Sequence, residues 1–182
     1  MALLFAMRIN AQNYDLKIYS GKSALSSGLG MIGTYTNEDS SSTWMLEFNQ
    51  TLGQVVYMKK YGNFLVGPTF GQQNNALWAA PILIWKPYKF ISFTTWEGIL
   101  AGKPNEPNWN VNFFFAYQAV DICIKNFTTG YSVLHYLEER PMNMPFVKYV
   151  IPITKVDKID ISVTYNMRDD TPMFLVAGCH TF

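Results

Sequence analysis

Between Lys158 and Asn166 apolar and polar residues alternate without a break. Ile159, Ile161, Val163 and Tyr165 share one face, and Lys158, Asp160, Ser162, Thr164 and Asn166 share the other. Only an extended strand has a side-chain period of two, and only a strand lying between two different solvents needs such a sequence. Upstream, Val147, Tyr149, Ile151 and Ile153 alternate with Phe146, Lys148, Val150, Pro152 and Thr154. A turn at Lys155–Asp157 sets Ile153 opposite Ile159 and Ile151 opposite Ile161, so the apolar faces coincide. A loop at Arg168–Thr171 does the same for Tyr165 with Phe174 and Val163 with Val176. Two consecutive hairpins predict an antiparallel meander.

The same reading predicts about ten strands, near 27–36, 43–60, 63–70, 76–85, 89–98, 109–125, 130–138, 146–154, 158–167 and 172–182. In 109–125 the apolar parity flips between Tyr117 and Val120, which predicts a bulge or an extra turn; Gly53 is a candidate bulge in 43–60. A spanning helix is excluded. It needs about 20 apolar residues, and the longest apolar stretch, Ala76 to Trp85, has ten with Pro81 inside it.

Composition narrows the class. Of 182 residues only 15% are charged, against about 25% in a typical soluble domain, while 16% are aromatic. A net charge of +1 argues against a nucleic-acid partner. The N-terminal segment 1–25 reads as a possible signal-peptide remnant (Ala2–Met7, then Ile9–Gln12) or short plug, and 26–182 as a single barrel domain.

The connections 37–42, 71–75, 99–108 and 139–145 are long. Those at 61–62, 86–88, 126–129 and 155–157 are short and fall between them. Long loops at one end and tight turns at the other characterise membrane barrels. Trp44, Trp78, Trp96 and Trp109 fall near the long-loop ends, and Trp85, Tyr57, Tyr61 and Tyr88 near the short-turn end, as two interfacial girdles require. The last strand, Pro172–Phe182, carries Phe174, Val176, Gly178 and Phe182 on one parity.

In these features the chain resembles bacterial outer-membrane β-barrel proteins, and its end resembles the aromatic C-terminal strand of that class; His180 departs from the apolar residue usual there. The resemblance implies an antiparallel up-and-down barrel embedded in the bacterial outer membrane. It further implies a monomer, contact with membrane lipid, and delivery to the barrel-insertion machinery through the strand ending at Phe182.

Several motifs have plainer readings. Gly28-Leu29-Gly30-Met31-Ile32-Gly33 has dinucleotide-loop spacing, but no helix pattern follows it, so the glycines read as places where barrel strands pack closely. Cys123 and Cys179 fall on non-adjacent strands and are expected as free thiols. Neither a metal site nor a cofactor is expected. Ser132 and His135 lie close in sequence, but an odd spacing points them to opposite faces of a strand.

The remaining candidates bear on a ligand. Glu47, Asn49, Asn110, Asn112, Asp121, Lys148, Lys158 and Asp160 are predicted to face the interior, where both charge signs favour internal ion pairs. Pro68 and Pro81, on neighbouring strands, each remove a ladder hydrogen bond and suggest a lateral opening; His135 is a further ligand or base candidate. The sequence points to a non-enzymatic barrel that presents external loops or handles a hydrophobic or small ligand. Two alternatives remain: a lipid-modifying enzyme (acyl transfer or deacylation) in the same envelope, and a soluble calycin-like barrel around an apolar ligand. The soluble alternative requires Lys158, Asp160 and Ser162 to point outward.

Overall fold

The computed structural model describes residues 14–22, 27–73, 76–103, 106–136 and 140–182. The segment read as a signal remnant, and the side chains of Trp109, Asn110 and Asn112, lie outside the described residues. The strands are β1 (Tyr14–Lys22), β2 (Ser27–Thr36), β3 (Ser42–Asn49), β4 (Leu52–Tyr61), β5 (Phe64–Gln73) and β6 (Ala76–Tyr88). They continue as β7 (Ile91–Lys103), β8 (Glu106–Ile124), β9 (Phe127–Tyr136), β10 (Met142–Pro152), β11 (Asp157–Asn166) and β12 (Thr171–Thr181). Each pairs antiparallel with its sequence neighbours, and β1 pairs with β12, closing an up-and-down barrel of twelve strands.

Twelve replaces the expected ten for two reasons. First, residues 14–22, assigned by sequence to a segment outside the barrel, form β1, whose Lys17 and Tyr19 face inward and whose Leu16 and Ile18 face outward. Second, the expected strand 43–60 is a hairpin turned at Gln50-Thr51. The Asn49 side-chain carbonyl accepts from the backbone N–H of Thr51 (2.8 Å) and Leu52 (2.7 Å), an Asx turn that needs neither Gly nor Pro. Gly53 sits in regular pairing with Phe48, just after this turn.

This turn also changes which connection lies at which end. The connection 37–41 joins the tight turns Gly62-Asn63, Lys89-Phe90 and Lys125-Asn126 at the end that holds Tyr14 and Phe182. The expected gathering of long loops at one end fails there, and most of 99–108 is strand in β7 and β8. In β8 no bulge lies between Tyr117 and Val120, which pair in step with Trp96 and Phe93; the irregularity falls opposite Leu100–Lys103.

Both predicted hairpins form, each with a register two residues from expectation. Ile151 faces Ile159, Val163 faces Phe174, and Ile161 faces Val176. Slipping by two keeps every side chain on its face, so the alternation that fixes parity leaves this freedom open.

The outer surface is apolar. Leu29, Trp44, Phe70, Ile99, Tyr149, Phe174 and Phe182 are among its exposed large side chains. Trp85 stacks between Phe64 (6.1 Å) and Phe93 (5.3 Å) near the end that holds the chain termini, where Trp44 packs on Tyr57 at 4.7 Å. Trp78 and Trp96 correct the girdle expectation. Both point inward and are 8% exposed, and their rings stack at 5.9 Å in a core with Leu52, Val56, Ile82 and Phe115. The apolar run 76–85 is thus explained: its outer residues face outward and its inner ones fill the barrel.

Candidate functional site

The inward faces of β1, β3, β10 and β11 carry charge. Asp160 is buried, and its Oδ2 accepts from Lys17 Nζ at 2.9 Å and Lys148 Nζ at 2.8 Å. On β3 Glu47, also buried, is held at both oxygens: Tyr19 Oη donates to Oε1 at 2.8 Å and Gln54 Nε2 to Oε2 at 2.6 Å. Asn49 Nδ2 donates in turn to Tyr19 Oη at 2.8 Å. Gly30 makes this arrangement possible, since a Cβ there would lie 2.5 Å from Cζ of the Tyr19 ring. Asp121 accepts from Ser92 Oγ at 3.2 Å.

Between these groups lies a chamber of about 290 Å³, lined by Lys17, Tyr19, Glu47, Gln54, Lys148, Ser162 and Thr164 on its polar side and by Trp96, Tyr117, Phe146 and Leu175 on its apolar side. Such a space admits a small polar molecule or water.

Of the residues singled out by sequence, Glu47, Lys148 and Asp160 come together here and Asp121 shares the inner face; Lys158 has the parity of Asp160 but is exposed, one residue into β11. Lys17, Tyr19 and Gln54 were missed. Lys17 and Tyr19 lie in the unassigned first strand, and Gln54 lies just past the unrecognised turn.

Pro68, Pro81 and His135 lie on the outward parity. Pro68 and Pro81 face each other directly, and the β5–β6 seam between them pairs without interruption from Phe64↔Trp85 to Gln73↔Ala76. The breaks are in the flanking seams instead. Pairing between β4 and β5 skips from Val56↔Thr69 to Lys59↔Val66, and between β6 and β7 from Ala79↔Ile99 to Ile82↔Trp96. Glycines permit the close approach there: a Cβ on Gly67 would sit 1.9 Å from the Tyr57 carbonyl oxygen, and one on Gly98 2.3 Å from that of Ala79.

Ser132 points into the barrel, donating to the Met144 carbonyl at 3.3 Å, while His135 is on the opposite parity, so the two do not converge. His180 Nδ1 lies 2.7 Å from Asp157 Oδ1, which gives the departure from the aromatic C-terminal pattern a polar partner. Cys123 and Cys179 are free, and among the described residues no cluster of metal-ligating side chains occurs. A hollow of about 460 Å³ lies on the outer wall among Leu83, Trp85, Phe93, Val120, Tyr131 and Val133.

A closed barrel with an apolar outside and paired charges inside has the architecture of outer-membrane porins, and solved structures agree. The chain is similar to the KdgM porin (TM-score 0.58, 14% identity, covering 93% of this chain and 99% of that one). It is also similar to the NanC porin (TM-score 0.55, 10% identity, 93% and 98%). A third similar structure is the Acinetobacter baumannii outer membrane protein Omp33 (TM-score 0.50, 8% identity, 94% and 98%). At these identities the likeness concerns the fold. No family model and no curated relative matches the chain.

Proposed function

We propose that this chain is a non-enzymatic porin-type barrel of the bacterial outer membrane that binds and passes small polar solutes through its lumen. The observation that carries the reading is parity. Ile161, Val163 and Tyr165 face out, whereas Asp160, Ser162 and Thr164 face the interior. An apolar exterior costs little in a bilayer and a great deal in water, and charges kept inside must be paired or hydrated. The same parity argues against the soluble calycin-like alternative. The likeness to porins over nearly the whole chain supports the channel reading.

Reconstitution tests it. The protein, folded into vesicles, is expected to migrate on gels with heat-dependent mobility and to give discrete current steps in planar bilayers. A monodisperse protein in plain buffer contradicts the membrane assignment, and a folded barrel without current contradicts the channel.

A further inference from the structure

We infer that the lumen chamber is a binding site for a small zwitterion, a molecule carrying an ammonium and a carboxylate on a short backbone, as an α-amino acid does. The inference deepens the porin reading and rests on it for the solute's route to the chamber.

Charge balance is the first ground. Lys17 and Lys148 stand with Asp160 and Glu47, two charges of each sign, with the lysines held on Asp160 and Glu47 held separately on β3 by Tyr19 and Gln54. A simple anion drawn to the lysines meets Asp160 between them, and a simple cation drawn to Glu47 meets two lysines. A dipolar solute aligned across the chamber satisfies both sides at once.

Unpartnered atoms are the second ground. Among the described residues, Gln54 Oε1 and Asp160 Oδ1 are buried acceptors without a partner, and Trp96 Nε1–H is a buried donor without one. The three residues are only 3%, 4% and 8% exposed, and Gln54 and Trp96 line the chamber. Nearly all buried polar atoms in folded proteins are partnered, so two orphans, Gln54 Oε1 and Trp96 Nε1–H, on residues lining one cavity point to a missing molecule. An ammonium beside Glu47 brings N–H donors for Gln54 Oε1, and a carboxylate brings acceptors for the indole. Both Lys17 and Lys148 bind the same Asp160 oxygen, Oδ2, so one buried carboxylate holds both cations on the chamber wall. The clamp on Glu47 by Tyr19 and Gln54 also holds the acid in place before a solute arrives.

Calorimetry on the detergent-folded barrel decides the matter, with glycine compared against glycine betaine (both charges, no N–H), acetate and ethylammonium. Glycine is expected to bind at least about tenfold more tightly than each of the others, the scale of one lost charge-assisted hydrogen bond. Gln54→Met and Lys148→Met, checked for folding by heat-dependent mobility, are each expected to weaken glycine binding by a similar factor. Equal affinity for acetate would make the chamber an anion site, and no heat with any solute would make it a hydration pocket; either result overturns the inference. The two readings fail separately: loss of the channel shows as absent current, and loss of the chamber as absent heat.

Discussion

The two walls of the barrel use the same strand geometry for opposite ends. Along β11 inward polar residues back onto outward apolar ones, as at Asp160 and Ile161, and Lys148 behind Val147 extends that face onto β10. Along β4–β8 both faces are apolar for long stretches, because the inward side chains of Val56, Trp78, Ile82, Trp96 and Phe115 pack on one another. One wall supplies charge and the other supplies shape. The chamber lies where they meet, bounded by Lys148 on one side and Trp96 on the other. The difference teaches that an apolar outer face fixes only half of a strand; the inner half is free to become core or site.

The largest effect is expected on the packed wall. Trp78→Ala removes a ring that stacks on Trp96 and meets Phe115 edge-on at 5.5 Å. It should cost about 3–5 kcal/mol in urea unfolding from micelles and raise single-channel conductance by opening the lumen. An unchanged conductance would mean that the aromatic core does not limit the path.

Next in size is a charge placed on the wrong side of the alternating wall. Ile161→Lys on the lipid face should destabilise by about 2–4 kcal/mol, while Ser162→Lys, one residue away and facing the lumen, should cost much less. Equal penalties would erase the distinction between the faces.

Asp160→Asn leaves Lys17 and Lys148 without their shared counter-charge. Because both lysines reach lumen water, the loss of stability should be only about 1–3 kcal/mol. Reversal potentials across a salt gradient should shift toward anion selectivity; a shift toward cations would contradict the arrangement of pairs.

The smallest effect concerns Glu97, an outward residue that accepts from Gln118 Nε2 at 3.1 Å and Thr95 Oγ1 at 3.2 Å. Glu97→Leu is expected to stabilise by about 1 kcal/mol, by removing an acid from the lipid face. A loss of stability would show that this polar trio has a partner of its own.

The alternating wall was the legible one. From β9 to β12 the strands are found where the pattern puts them, and inward Lys148 and Asp160 follow from it. The registers did not follow, since a two-residue slip leaves parity unchanged. On the apolar wall parity carried little information, so Trp78 and Trp96 read as interfacial when they are core. The site was half legible for a local reason: the Asx turn at Asn49 carries no Gly or Pro signal, and without it Gln54 has no assigned place beside Glu47. In β1, Tyr19 on the inner face and Ser20 on the outer blur the alternation, and with that strand went Lys17.

The central claim is that lipid meets the outward face and water and charge the inward one. Single cysteines at positions 161, 162, 163 and 164, in a background with Cys123 and Cys179 replaced by serine, can carry a small fluorophore in vesicles of bromine-labelled lipid. Strong quenching at 161 and 163 with little at 162 and 164 is the predicted result. Equal quenching at all four positions, or the reverse alternation, would contradict the account.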